Sequence, residues 1–262
     1  MISSSSNAKV KNIINLKKSA KARKEQECFL VEGPRMVFEV PKDQLEQIYV
    51  TEQFLQKYAD HMKSLKDHGI DYKMISENVC RHISDTKTPQ GIVAVVKYKK
   101  MRLEELLSRE ASPIFIILEN LQDPGNLGTI LRTAEGAGVS GIIMNRGTVD
   151  PYNPKVIRST MGAIFRMPLI IVPELLPVIE KLKASGINIY AAHLNGKRFY
   201  DYDYTAGSAF LIGNEGNGLT DEIANEATAK IKIPMKGKVE SLNAAIAATV
   251  LMYEAQRQRD WN

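Results

Sequence analysis

The sequence predicts an α/β protein: a parallel sheet flanked by helices, preceded by a smaller α/β domain. Three observations lead there. Six short apolar runs are of the near-continuous kind that a parallel sheet buries on both faces: IFIIL (114–118), GIIM (141–144), PLIIV (168–172), INIYA (187–191), AFLI (209–212) and KIKI (230–233). Helical stretches separate them, at about 126–137, 153–161, 174–185, 220–227 and 241–258. Ahead of them, residues 1–100 alternate shorter strands and helices, enough for a small domain of their own.

Taken in order, the four serines at 3–6 are expected to be disordered. Residues 8–24 read as one basic amphipathic helix with Val10, Ile13, Ile14 and Leu16 on its apolar side. FLVEG (29–33) is a short strand ending at Gly33-Pro34. A helix around 35–40, a strand at QIYVT (47–51), a helix through 52–68 and a strand near DYKMI follow. QGIVAVVKY (90–98) is a strong strand. MRLEELLSREASP (101–113) is a short helix and connection, which puts the second domain at 114–262. The sequence has no internal repeat.

Hydrophobic residues at 44% and charged residues at 25% are ordinary for a soluble globular protein. No apolar run approaches the ~18 residues that span a membrane, and the N-terminus lacks the apolar region of a secretory signal. Cys28 and Cys80 are far apart and read as free thiols in a reducing cytosol, which points to a cytoplasmic protein. The four histidines, His61, His68, His82 and His193, have no ligand spacing, so no metal is expected. The net charge is +5, and its distribution is uneven. Lys9, Lys11, Lys17, Lys18, Lys21, Arg23 and Lys24 precede the first acid, Glu25. Such a block suits phosphate contacts along a nucleic acid, the plainer alternative being a solvated helix face. No aromatic residue interleaves with it, so base stacking is not indicated there.

Three segments carry candidate chemistry. GNEGNG (213–218) follows a strand, but it is neither a P-loop, which needs Lys and Ser/Thr after its last glycine, nor a dinucleotide fingerprint. Glu215, Asp221 and Glu222 put negative charge where phosphates would sit. Its ligand should therefore be neutral or cationic, and a mere tight turn stays open. In IPMKGKVESLNAAIAATVLMYEAQRQR (233–259), Leu242, Ile246, Val250 and Tyr253 share a helix face, Ser241 is a plausible N-cap, and Ala244, Ala245, Ala247 and Ala248 allow close packing. A buried helix does not explain Asn243 in its first turn. In LENLQDPGNLGTILRTAEGAG (118–138), Asn126 can cap the next helix and Arg132 lies within it. A lone Arg there is ordinarily solvated or ion-paired.

Together these segments resemble the SpoU (TrmH-like) family of RNA ribose 2′-O-methyltransferases in the SPOUT superfamily. ENLQDPGNLGTILRTAEGAG is similar to its first motif, LIGNEGNGL to its second and IPMKGKVESLNAAIAA to its third, with RSTMGAIFR (158–166) between them. The resemblance covers about 114–259, and the N-terminal part is similar to the substrate-binding domain resembling ribosomal protein L30e that many members carry. It implies a C-terminal deep trefoil knot and S-adenosylmethionine as cofactor, held around Gly196, Gly213, Ile233, Met235 and Leu242. The sulfonium is cationic and carries no phosphate, in keeping with the acidic loop. It further implies Arg132 as the group that orients the ribose hydroxyl. Asn126 and Glu215 would shape the site, and Ser241 and Asn243 would contact the target nucleotide or hold the loops. The implied substrate is RNA, with 23S ribosomal RNA favoured by the N-terminal domain. The implied assembly is a homodimer with active sites shared between subunits. Transfer RNA as substrate, or a non-catalytic RNA-binding protein of the same fold, are the alternatives.

Overall fold

A computed structural model describes residues 1–260 of the chain, so Trp261 and Asn262 lie outside the described residues. Up to residue 99 the elements are α1 (Ala8–Lys18), α2 (Ala20–Gln26), β1 (Cys28–Glu32), α3 (Pro34–Glu39), β2 (Leu45–Val50), α4 (Glu52–Lys57), α5 (Ala59–Asp67), β3 (Tyr72–Met74), α6 (Glu77–Ile83) and β4 (Ile92–Lys97). Then come α7 (Leu103–Leu107), β5 (Ile114–Leu118), α8 (Pro124–Gly136), β6 (Gly141–Asn145), α9 (Pro154–Thr160), β7 (Leu169–Val172), α10 (Leu176–Ala184), β8 (Asn188–Arg198), β9 (Ser208–Ile212), α11 (Asp221–Asn225), β10 (Ala229–Lys232) and α12 (Ala244–Asp260). The chain packs as two compact units, Met1–Lys99 with Tyr152–Phe165, and Lys100–Pro151 with Arg166 onward.

The first unit is a four-stranded mixed sheet in the order β1-β4-β2-β3, with β4 antiparallel to both neighbours and β3 parallel to β2. Side chains alternate between its faces. Ile92, Ala94 and Val96 meet Val37, Phe54 and Met62 of α3, α4 and α5, together with Tyr152, Ile157 and Phe165. Val93 and Val95 meet Val10, Ile13 and Leu16 of α1 and Val79, Cys80 and Ile83 of α6. Burial on both faces is why IVAVV (92–96) is an unbroken apolar run.

Three expectations need correction here. The basic helix is two helices, broken at Ser19 (φ −114, ψ 114), whose Oγ accepts from Ala22 N at 3.1 Å and starts α2. Arg23 is not part of a basic surface. It is 3% exposed and donates to the carbonyls of Leu16 (2.6 Å) and Lys17 (3.2 Å), closing the end of α1. The serines are not disordered, because the segment is pinned beside them: Ile2 N donates to Met74 O (2.7 Å), Ser76 N donates to Ile2 O (3.0 Å), and the hydroxyls of Ser4 and Ser6 share a hydrogen bond. Helix α6 had no counterpart in the sequence reading.

The second unit is a six-stranded parallel sheet in the order β10-β8-β9-β5-β6-β7. On one face Phe115, Ile117 and Leu211 pack with Leu106 of α7, Ile179 and Leu182 of α10 and Ile223 of α11. On the other face lie α8 and α12, which pack on each other and on β6, β9 and β5. This is the α/β architecture with a helix-flanked parallel sheet. From β5 the chain builds β6 and β7 on one side, then β8, β9 and β10 on the other. Ligands of open parallel sheets bind at such a reversal, beyond the carboxyl ends of the strands. Here those ends are Leu118 of β5 and Ile212 of β9, which lie side by side.

Candidate active site

Both strand ends run directly into the polar segments singled out from the sequence. Glu119 follows β5. It is 5% exposed, and its carboxylate accepts from Thr220 N (2.8 Å) and Thr220 Oγ1 (2.7 Å), tying down the far end of the glycine loop. At the near end, Asn214 Nδ2 donates to Asn120 O (2.8 Å). The loop closes on itself through Asn214 N to Gly218 O (3.0 Å) and Gly218 N to Asn214 O (2.9 Å). A Cβ on Gly213 would lie 2.2 Å from the Gly218 carbonyl carbon. What approaches that glycine so closely is the chain's own backbone.

Glu215 reaches from this loop to the turn after β5. Its Oε2 accepts from Gln122 N (2.9 Å), and its Oε1 accepts from Asp123 N (2.9 Å) and Asn126 Nδ2 (3.0 Å). Desolvation works to raise its pKa, but the donors from Asn126, Gln122 and Asp123 outweigh it and hold the carboxyl below the ordinary glutamate value. A carboxylate so engaged is an anchor, not a free base. Asn126 passes the link on: its Oδ1 accepts from Asn243 Nδ2 (2.8 Å). One chain of hydrogen bonds thus runs Glu215–Asn126–Asn243 through all three segments.

Two capping expectations are corrected. Asp123, not Asn126, caps α8, its Oδ1 accepting from Asn126 N (2.8 Å) and leaving the Asn126 amide for the link. Asn243, not Ser241, caps α12, with Oδ1 accepting from Ala245 N (2.9 Å) and Ile246 N (3.3 Å). This accounts for an asparagine at the head of an apolar helix. Ser241 lies two residues upstream, exposed, in the irregular segment that follows β10.

The remaining candidates divide. Ile233, Met235 and Leu242 are half-buried along that segment, while 236–241 are exposed. Among the described residues, 234–242 make no hydrogen bond to the rest of the chain. Their backbone donors and acceptors are therefore available to a ligand. Gly196 is buried in β8, and a Cβ there would lie 2.5 Å from Ile231 backbone atoms, so β10 needs this glycine too. Arg132 is not brought into the hydrogen-bonded group. It is exposed and has no hydrogen-bond or ion-pair partner among the described residues. It stands six residues beyond Asn126 on α8, about 9 Å along the axis and on another face. Both cysteines are buried in the first unit, where desolvation raises their thiol pKa, to about 11 at Cys80. Neither is poised for nucleophilic chemistry.

The model of the SpoU rRNA methylase family matches residues 113–253, more than half of the sequence and all of this geometry. The chain belongs to that family. Residues 7–94 match a second model, the MRM3-like substrate binding domain. Among relatives of the family, the 23S rRNA (guanosine(2553)-2′-O)-methyltransferase RlmP of Bacillus subtilis is 33% identical over 254 residues, covering 96% of this chain and 97% of that protein. The fold is similar to that of an AdoMet-bound rRNA methyltransferase from Sinorhizobium meliloti, with a TM-score of 0.84 at 31% identity over 98% of this chain and 97% of that one. It is also similar to the SpoU methyltransferase AviRb from Streptomyces viridochromogenes in complex with AdoMet, with a TM-score of 0.85 at 28% identity over 96% and 98% of the two chains.

Sequence reasoning missed Glu119, Asn120, Gln122, Asn214 and Thr220. Their signal was a polar run directly behind an apolar strand. Nothing local distinguishes such a run from an ordinary turn.

Proposed function

We propose that this SpoU family member transfers a methyl group from S-adenosylmethionine to a ribose 2′-OH of 23S ribosomal RNA. The observation that carries this reading is the Glu215–Asn126–Asn243 chain of hydrogen bonds at the strand-order reversal. It unites the glycine loop, the head of α8 and the head of α12 into one site. Full-length similarity to a 23S rRNA 2′-O-methyltransferase supports the substrate class.

The residues fit the cofactor. The glycine loop offers no lysine to a phosphate and is followed by Asp221 and Glu222. Residues 234–242 present unengaged backbone groups beside the half-buried Ile233, Met235 and Leu242. Those three, with Gly196 and Gly213, would hold S-adenosylmethionine, which supplies an electrophilic methyl group when bound. The rest of the task is the weakly nucleophilic hydroxyl. As an O–CH3 bond forms and the S–CH3 bond breaks, the hydroxyl proton must leave, to water or to a neighbouring RNA phosphate. A guanidinium presents N–H donors and no acceptor, so Arg132 orients and stabilises rather than abstracts. Glu215, engaged by three donors, holds the loops while Ser241 and Asn243 border the target nucleotide.

Arg132 stands apart from the cluster of its own chain, which supports a site completed by a second copy. Ile246 (50% exposed) and Tyr253 (51% exposed) lie with the half-buried Val250 on one face of α12, an apolar stripe suited to a homodimer. The return of the chain from edge strand β10 to the middle of the sheet, where Asn243 meets Asn126, supports a trefoil knot. The helix-covered four-stranded sheet supports an L30e-like role in RNA binding for the first unit.

The test is transfer of labelled methyl from S-adenosylmethionine to unmodified ribosomal RNA and, separately, transfer RNA, followed by mapping of the modified nucleotide. Label at a ribose 2′-oxygen of 23S RNA is expected. Label only in transfer RNA, on a base, or nowhere in RNA sinks the reading.

A further inference from the structure

Beyond the family motifs, a second layer of polar contacts sits behind the glycine loop. Asn120, the second residue after β5, has a left-handed backbone (φ 53), one of three non-glycine residues that do so among the described residues. L-residues avoid this conformation unless something holds them there. Asn145, the last residue of β6, holds it. Its Oδ1 accepts from Asn120 N (3.0 Å), and its Nδ2 donates to Asn120 Oδ1 (2.9 Å). Thr148 Oγ1 donates to the same Asn145 Oδ1 (2.9 Å) and fixes which way the amide faces. Gly147 leaves the room: a Cβ there would lie 1.9 Å from Asn120 Oδ1.

The left-handed turn has two consequences for the site. It aims Asn120 O where both Asn214 Nδ2 (2.8 Å) and Gln122 Nε2 (2.9 Å) donate to it. It also starts the turn that presents Gln122 N and Asp123 N to Glu215. Gln122 Nε2 donates as well to Gly147 O (2.7 Å), closing the ring back to the segment after β6.

From this geometry we infer that Asn145 is a positioning residue for methyl transfer. Its amide is engaged by Asn120 and Thr148, so it acts through them: it locks the Asn120 turn that sets the backbone donors for Glu215, and so the shape of the cofactor loop. The inference rests on the functional reading above for its catalytic consequence, but not for its structural link.

The test compares Asn145→Ala, Asn145→Asp and the double variant Asn145→Ala/Asn120→Gly with the wild-type chain. Amide hydrogen exchange at Gln122 and Asp123 reads the link directly, and calorimetry with S-adenosylmethionine reads its consequence. Asn145→Ala is expected to lose protection at both amides and to bind about tenfold more weakly, the weight of one to two net hydrogen bonds. Asn145→Asp keeps the acceptor, and a turned Asn120 amide can donate to it, so it should behave as wild type. The glycine at 120 adopts the left-handed turn unaided, so the double variant should regain most of the affinity. A merely structural role for Asn145 would lower the melting temperature, leave affinity unchanged, and show no rescue by Asn120→Gly; either of the last two results overturns the inference. If the wild-type chain takes up no S-adenosylmethionine, the functional reading fails, and protection at Gln122 and Asp123 alone decides for or against Asn145.

Discussion

The glycines of the 213–218 loop are there for different reasons, and alanine at each should separate them. At Gly213 a Cβ would lie 2.2 Å from Gly218 C, 2.3 Å from Leu219 N and 2.4 Å from Gly218 O. All three are backbone atoms and none can rotate aside. Ordinary Cβ contacts begin near 3.4 Å, so the loop closure must open by about 1 Å. That breaks the two hydrogen bonds between Asn214 and Gly218. Two net hydrogen bonds at about 1 kcal/mol each, plus about 1–3 kcal/mol of overpacking, place roughly 3–5 kcal/mol against the closed loop. Residues 215–218 are exposed, so the loop can open without unfolding the sheet. Gly213→Ala should therefore lower the melting temperature by only about 4–8 °C, the weight of the two lost hydrogen bonds, and lose affinity for S-adenosylmethionine by at least about a hundredfold. Gly218 has φ +70 with nothing within 4 Å of its Cβ position. Alanine there meets only the left-handed backbone cost of about 1–2 kcal/mol, an effect of roughly five- to thirtyfold. At Gly216 the nearest atom is Asn214 Oδ1 at 3.5 Å, an ordinary contact, so alanine should be neutral. Calorimetry on the three variants, with thermal unfolding alongside, checks the ranking. Wild-type affinity in Gly213→Ala, or equal damage at Gly216, refutes the steric argument.

Arg132→Ala should lower methyl transfer by about a hundredfold or more with cofactor affinity kept, the scale of a positioned catalytic group; a near wild-type single-turnover rate dismisses its role. Mixed with Gly213→Ala after joint unfolding and refolding, it should recover about a quarter of wild-type activity, because random pairing yields heterodimers with one intact composite site. Verified exchange without recovery means that each subunit works alone. Because the folded Glu215 carboxyl has a lowered pKa, its contribution is full above the ordinary glutamate value of about 4.3 and fades as pH falls through the lower folded value. Protection of the Gln122 and Asp123 amides should thus be flat from about pH 7 to 5 and collapse in stronger acid, whereas loss already between 7 and 5 contradicts the anchor. Replacing the exposed Lys9, Lys11, Lys18 and Lys24 by serine should flatten the salt dependence of RNA binding, by about 0.7–0.9 of a log–log unit for each phosphate no longer neutralised. An unchanged slope makes them a solvated face. Substitution is the right perturbation here, since removing residues 1–24 also removes the fully buried Val10, Ile13 and Leu16.

Much of this was legible in the sequence because the central strands β5, β6 and β9 are apolar on both faces and the three motif segments are local. The edge strand β10, with Lys230 and Lys232, followed only from its place in the repeating pattern. What failed were assignments in which several residues of like chemistry compete. Asp123 and Asn126 can each cap α8, and Ser241 and Asn243 can each cap α12; only the three-dimensional neighbours decide which amide is left to bond elsewhere. The break at Ser19 was hidden because the apolar spacing of α1 runs almost up to it, and the inward turn of Arg23 needs the carbonyls of Leu16 and Lys17 as partners. Asn145 was invisible for another reason. Its meaning comes from the pairing of β5 with β6, 25 residues apart along the chain. Likewise, the sequence marks Gly213 as a point of close approach but does not say that the approaching group is Gly218.

The chain's division into units sets a timetable for its synthesis. A nascent chain emerges N-terminus first, at about 5–20 residues per second. When Lys99 has appeared, all four strands of the first sheet exist, yet Tyr152, Ile157 and Phe165 have still to be made. Until they arrive, the face carrying Phe29, Ala94 and Val96 lacks part of its cover. Meanwhile β5, α8 and β6 of the other unit have already been released. The first unit therefore waits for several seconds while the second is begun. A fragment ending at residue 99 would leave that apolar face short of part of its cover permanently, so any piece meant to fold as the first unit has to bring residues 152–165 along.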